Sequence, residues 1–287
     1  IARDTEIQCS RKYQHNKQTH GLDLLMNFNN PYMRCNQGIV VECKNRQMRS
    51  INQAELDKWL EELINAIECA QSAPELQDFD MGNTMLNTGL LLIHANDSFN
   101  SELFNKYLCN LKVHSRRNPI NVFIAGNDEI DRWNSLRNKI EKDFTSEFQF
   151  IYPSIEGSNM ELGNYLTINQ LYSKYIFAQD MKYIEKTEAG TSYKVPQVRK
   201  IMISFDEISK GNFKYMWSMF KALQFQDAKE LVFVFYPRKN SDVEFVKDNF
   251  INTLYQIQQP ITENIASRIK LEFIDNRSLS PVDMGGR

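Results

Sequence analysis

Near the start of the chain, two short runs alternate apolar and polar positions. Residues 21–28 (GLDLLMNF) and 38–44 (GIVVECK) read as strands, and Asn29-Asn30-Pro31 with Asn36-Gln37-Gly38 supply turn signals between them. A helix is predicted next. Ser50 and Gln53 have capping-box spacing, and Trp59, Leu60, Leu63, Ile64 and Ile67 recur at helical intervals. The polar face of that helix is acidic at Glu55, Asp57, Glu61 and Glu62. Residues 88–95 (TGLLLIHA) predict a buried strand and residues 100–110 a further helix.

The pattern changes register at Ser115-Arg116-Arg117-Asn118-Pro119, which predicts two domains, 1–115 and 116–287. In the second, residues 120–125 and 147–152 read as strands around a helix at 128–144, a βαβ unit. Residues 161–186 read as mainly helical. Segments 198–205, 211–224, 230–236, 242–258 and 269–274 then alternate strand, helix, strand, helix, strand. The fold class is therefore α/β, with a largely parallel sheet in the C-terminal domain.

Composition narrows the class. The chain has 287 residues, 42% hydrophobic and 24% charged, which excludes a mainly disordered, collagenous or membrane-embedded protein. No run approaches the roughly 18 apolar residues of a membrane span, and the opening IARDTEIQCS lacks the apolar region of a signal peptide, so a cytoplasmic location without membrane partners is expected. Five cysteines without a CxxC pair, beside four scattered histidines, lack the short paired spacing of a zinc site and read as reduced thiols. The net charge of −2 hides an asymmetry: residues 1–53 carry eight Lys/Arg against four Asp/Glu, and residues 54–115 three against ten. A positive segment backed by an acidic one suits a phosphate-binding face, and ordinary surface scatter suits the counts equally.

Chemistry concentrates at Asp23 on the first strand and Glu42-Cys43-Lys44 on the second. Strand alternation places Val40, Glu42 and Lys44 on one face and Ile39, Val41 and Cys43 on the other. Charges on an apolar strand are costly unless paired or bound to metal. If the two strands pair, two carboxylates and an ammonium converge. Mg²⁺ takes oxygen ligands, commonly one or two carboxylates, and a neighbouring lysine can hold an attacking water and stabilise developing charge. A salt-bridge cluster that only fixes strand register is the alternative.

The segment GLDLL…GIVVECKNR resembles the PD-(D/E)XK nuclease superfamily, and its G-x-D-L-L and ECK motifs are most similar to the Mrr-type restriction endonuclease branch. The resemblance spans roughly residues 15–115. It implies a restriction-endonuclease-like mixed sheet flanked by helices, a Mg²⁺- or Mn²⁺-dependent endonuclease acting on DNA, and a role in defence against phage. Carried over, Asp23 and Glu42 are metal ligands, the Cys43 carbonyl a backbone ligand, and Lys44 the catalytic lysine. Gln53 takes the place of an active-site glutamine in some members, or is only the N3 residue of the Ser50 cap. His20 precedes the first motif's glycine, where relatives often carry a small residue. The family's upstream glutamate corresponds to Glu6, whose surroundings read as a strand, or to a residue before Ile1.

Arg46 and Arg49 follow the motif and could grip phosphates flanking the scissile bond, or simply be solvated. His20 is either a substrate contact or a turn residue. His94 and Asp97 in LIHAND read as strand-end packing and a turn, since no nucleophile motif accompanies them. The C-terminal domain is expected to bind a partner or regulate, with a homo-oligomer or a second defence protein as company. A non-catalytic nuclease-like binding subunit and an RNA-cleaving nuclease are the rival functions.

Overall fold

A computed structural model of the chain describes residues 2–79, 84–114, 116, 118–153, 160–188 and 191–275. The chain divides into two compact units, the first ending at Ile130 and the second beginning at Asp131.

The first unit is built on a five-stranded sheet in the order β1-β2-β3-β4-β5. Strand β1 (Ala2–Gln8), a single helical turn α1 (Lys12–His15), β2 (Thr19–Asn30) and β3 (Cys35–Arg46) form an antiparallel meander. Helix α2 (Gln53–Ala70) then crosses to β4 (Thr84–Ala95), and α3 (Ser101–Cys109) to β5 (Asn121–Ala125), both strands parallel to β3. The sheet is thus mixed and carries helices, as expected. At the tip of the β2–β3 hairpin, buried Asn30 accepts the backbone N–H of Tyr32 at 2.9 Å and donates to Gln37, which donates in turn to Thr88. Those side chains are what the asparagine-rich turn signal encodes.

Helix α2 begins later than its sequence suggests. Asn52, rather than Ser50, is the N-cap, its side chain accepting the backbone N–H of Glu55 at 3.2 Å. Ser50 lies instead in a 3-10 turn over Met48–Ser50, and buried Ile51 pins the entry. Leu56, Trp59, Leu63 and Ile67 bury one face of α2 against the sheet. The approach is tight over Gly89 of β4, where an added Cβ would lie 2.6 Å from Ile67 Cδ1.

The strand at 120–125, read from sequence as opening the second domain, belongs to the first sheet as β5. The expected βαβ unit does not form. Helix α4 (Asn127–Asp143) leads from β5 to β6 (Gln149–Tyr152), which is in the other sheet. Strand β4 carries an uninterrupted apolar run at Leu90–Ile93, and β5 pairs parallel with its outer backbone edge from Thr88↔Asn121 to Leu92↔Ala125.

The second unit has a six-stranded sheet in the order β11-β10-β9-β8-β6-β7. Its members are β7 (Glu161–Gly163), β8 (Tyr175–Glu188), β9 (Thr191–Ser204), β10 (Glu230–Phe235) and β11 (Ile269–Phe273), with β6 already named. A single turn α5 (Ile168–Leu171) precedes β8; α6 (Lys210–Ala222), α7 (Asn240–Tyr255) and the short α8 (Glu263–Ala266) lie between the later strands. Strands β9, β10 and β11 run parallel, while β8, β6 and β7 extend the sheet antiparallel. One face is covered by an aromatic cluster around Phe213, Trp217, Phe220, Phe233 and Phe250, the other by Leu136, Phe148, Ile176, Ile201 and Val232. Both faces of β10 are therefore buried, which explains its uninterrupted apolar run.

The mainly helical reading of 161–186 is overturned, because β7, α5 and β8 occupy the described part of it. From Tyr175 to Asp180 every second residue is buried, a period of two. Tyr, Ile and Phe in that stretch favour a pleated strand over a helix. Asp180 falls in the buried register and is met there by Arg199 on β9.

Candidate active site

The pairing of β2 with β3 runs from Asn30↔Cys35 to Leu24↔Val41. One step further Asp23 and Glu42 stand opposite each other, but the ladder has ended. Instead Asp23 Oδ2 accepts the backbone N–H of Cys43 at 2.7 Å. Beyond this point β2 pairs with β1 on one edge, and β3 continues beside β4 as far as Arg46↔Ala95. The strands part, and a carboxylate takes the place of the missing backbone acceptor. Opposed residues of an antiparallel pair share a face, so Asp23 and Glu42 project to the same side, joined by Lys44 two residues on. The Lys44 ammonium donates to Glu42 Oε1.

Glu42 and Lys44 are largely buried. Burial raises the Glu42 carboxyl pKa; the Lys44 ammonium opposes that shift, and the charges of Asp23 and Glu62 add to it. The net direction is upward, because burial outweighs the ammonium and the neighbouring carboxylates add to it. The hydrogen bonds above use Asp23 Oδ2 and Glu42 Oε1 only, so Asp23 Oδ1 and Glu42 Oε2 have no protein donor among the described residues. Free carboxylate oxygens with surplus negative charge are a donor set that fits a hard divalent cation.

Other sequence candidates are placed unevenly around this notch. Arg46 and Arg49 are exposed, Arg46 at the end of β3 and Arg49 in the 3-10 turn that follows. Asp97 fixes that turn by accepting the backbone N–H of Met48 at 2.7 Å. His94 lies beside Asn45 at the strand end, 3.5 Å away, so both LIHAND residues are structural as expected. Gln53 is the first residue of α2 and donates to Asp57 at 3.3 Å, not to the Asp23–Glu42–Lys44 set. It is not the N3 residue of a Ser50 cap. His20 is buried, and its Nε2 lies 3.3 Å from His15 Nδ1. Burial lowers its pKa, helped by His15. Glu6 lies on β1, as its strand-like context suggested, and accepts the Thr19 hydroxyl at 2.6 Å.

Sequence reasoning overlooked Glu62. It reads there as part of a solvated acidic face, yet its charge is felt by both Glu42 and His20. Gln53 and Glu62 are nine residues apart, about half a turn round the helix, so the two cannot face the same cluster squarely. Lys17 pairs with Glu62 at 3.2 Å, which ties this helix face to the β1–β2 side of the sheet. The available signal was the apolar stripe of α2, which places Glu62 beside Trp59 and Ala66 on the flank of the buried face.

Residues 1–129 match a family model described as the GAPS4 protein PD-(D/E)XK nuclease domain. No curated protein and no solved structure matches the chain. Among the described residues, no helix is long and apolar enough to cross a membrane.

Proposed function

We propose that this chain, whose residues 1–129 form a PD-(D/E)XK nuclease domain, is an endonuclease that hydrolyses DNA phosphodiester bonds with Mg²⁺ or Mn²⁺. The observation that carries the reading is the convergence of Asp23, Glu42 and Lys44 where β2 and β3 part. Asp23 and Glu42, with the Cys43 carbonyl, would hold the cation, which when bound supplies charge neutralisation at the phosphate and a more acidic water.

The protein's own groups do the rest. Asp23 keeps the notch open and rigid through its bond to Cys43. Glu42 holds the Lys44 ammonium within the notch, from where it orients the attacking water and donates to a non-bridging phosphate oxygen as charge builds. Arg46 and Arg49 lie just past the motif on an exposed edge, where they grip phosphates on either side of the scissile bond. Glu62 adds negative potential that favours cation binding. Gln53, one turn from Asp57 at the helix entry, contributes to substrate positioning.

The matched domain comes from an anti-phage defence protein, and we extend that role to this chain: it acts on phage or other foreign DNA in the cytoplasm. Two strands of a duplex call for two cuts, so a homo-oligomer or a second defence protein completes the assembly, with the second unit as the docking or regulatory part. The test is cleavage of supercoiled plasmid, linear duplex and RNA with Mg²⁺ or Mn²⁺, wild type beside Lys44→Ala. Metal-dependent cutting of DNA, lost in the variant, supports the proposal. Cutting of RNA alone, or equal cutting by both proteins, overturns it.

A further inference from the structure

A second cluster lies in the same unit and is independent of the nuclease reading. Cys9, His15, His20 and Cys69 bring one ligand atom each to within 4.8 Å of one another. Cys9 follows β1, His15 ends α1, His20 is in β2 and Cys69 is in the last turn of α2. All are buried or nearly so, with exposures of 2%, 9%, 4% and 0%. We propose that these four side chains bind one structural Zn²⁺ ion through Cys9 Sγ, His15 Nδ1, His20 Nε2 and Cys69 Sγ.

Distances are the first argument. The two sulfurs are 3.7 Å apart, each sulfur is 3.5 Å from His15 Nδ1, and His15 Nδ1 is 3.3 Å from His20 Nε2. A tetrahedral ion with Zn–S of about 2.3 Å and Zn–N of about 2.05 Å has edges of about 3.8 Å (S···S), about 3.6 Å (S···N) and about 3.4 Å (N···N). Four of the six edges of the cluster match these lengths, and the two from His20 Nε2 to the sulfurs are within 4.8 Å.

Hydrogen bonding does not account for it. His15 Nε2 is used by Glu68, whose Oε2 is 3.1 Å away. In the neutral ring that leaves Nδ1 a single lone pair, yet three atoms crowd it: two sulfurs and a second imidazole nitrogen. One cation in their midst satisfies all four at once.

The surroundings support ligation. Glu68 orients the His15 ring through Nε2 and is itself paired with Arg11 at 3.1 Å, the carboxylate–histidine arrangement that commonly backs a zinc ligand. The Ser10 hydroxyl donates to Cys69 Sγ at 3.5 Å, and the Arg11 backbone N–H bonds the Cys9 sulfur. On binding, Zn²⁺ displaces one proton from each thiol, and two thiolates neutralise its charge, which suits a buried position. Two soft sulfurs exclude Mg²⁺ and Ca²⁺, and four protein ligands leave no open position for catalysis. The ion would clasp the end of β1, the last turn of α2 and the start of β2, where His20 is three residues before Asp23.

The test is metal analysis of the full chain purified without chelators, alongside Cys9→Ser, Cys69→Ser, Asp23→Ala and the remote Cys109→Ser. About one zinc per chain, lost in the first two variants and kept in the last two, supports the site. If the cysteine variants fail to fold, Co²⁺ exchange into wild type gives the second readout: intense visible absorption with sulfur-to-cobalt charge transfer is expected. A folded chain that holds neither ion, zinc retained by both cysteine variants, or a Cys9–Cys69 disulfide in the fresh protein's intact mass would each overturn the proposal.

Discussion

Asp23 Oδ2 accepts the backbone N–H of Cys43 at 2.7 Å, one residue past the last paired position of β2 and β3. A single carboxylate thus ends a ladder and faces the Glu42–Lys44 pair. Its two duties are separable. Asp23→Asn keeps an acceptor of the same size and loses the charge, so the fold should stay intact while cleavage falls about 100-fold or more. Asp23→Ala also leaves the Cys43 amide without its partner and should cost about 1 kcal/mol of stability besides. Cleavage rates beside thermal melts separate the two; equal activity in Asp23→Asn and wild type would remove Asp23 from the mechanism.

Glu62→Gln tests the overlooked carboxylate. Its charge adds to that around Glu42, and removing one unit charge near a cation weakens attraction by about 1 kcal/mol. The Mg²⁺ concentration for half-maximal cleavage should rise by about fivefold, with the maximal rate nearly kept. A metal titration that superimposes on wild type would show that Glu62 serves only its pair with Lys17.

Much of this site was legible because strand alternation is local. Glu42 and Lys44 share a face by parity alone, and the flanking turn signals set the pairing that brings in Asp23. Gln53 and Glu62 were harder. Their roles depend on where α2 starts, and Ser50 and Asn52 are both good caps; burial of Ile51, a tertiary fact, decides for Asn52. The four residues of the Cys/His cluster have no short ligand spacing, because Cys69 reaches the others only after α2 has crossed the sheet. The same non-local logic misplaced residues 120–125, whose partner strand lies in the preceding domain, and residues 161–186, where an alternating pattern was read as helical.

Gly89 sits where α2 presses on β4. A Cβ there would lie 2.6 Å from Ile67 Cδ1 and 3.0 Å from Leu63 Cδ2, and both partners are fully buried with little room to retreat. Gly89→Ala should therefore destabilise the first unit by about 1–3 kcal/mol through overpacking, despite alanine's lower unfolded-state entropy. Denaturant unfolding checks this, and Leu63→Ala in the same chain should recover part of the loss. A stabilised Gly89→Ala would mean that α2 can shift outward.

In the second unit, Asp180 is buried on β8 and accepts Arg199 Nε at 2.8 Å and the Thr145 hydroxyl at 2.5 Å. Arg199 also lies 5.0 Å above the Phe144 ring. Arg199→Met would strand a carboxylate inside the protein and should cost about 3–5 kcal/mol. Asp180→Leu combined with Arg199→Met should recover much of that, since an apolar pair carries no desolvation penalty. Additive losses in the double variant, measured by denaturant unfolding, would refute the coupling.

A pH signature is expected from Asp206. Burial would raise its pKa, but hydrogen bonds from the Tyr175 hydroxyl at 2.6 Å, the Lys174 ammonium at 2.9 Å and the Glu207 backbone N–H at 2.9 Å outweigh it, and the carboxyl is held below its ordinary value. A carboxyl whose folded pKa is depressed adds stability that is fully present above its unfolded pKa of about 3.9 and is lost as pH falls through the folded value. Tyr175 is shifted the other way, raised by burial and by its bond to Asp206, so its share is present below its unfolded pKa of about 10 and fades only as the solution becomes strongly alkaline. Asp206→Asn should therefore melt lower than wild type at pH 7, by about 1 kcal/mol after screening at this partly solvated site. As pH falls through the depressed folded pKa the two proteins should converge, because wild-type Asp206 is then losing its charge as well. A gap that stays constant from pH 7 to pH 2 would show that the hydrogen bonds matter and the charge does not.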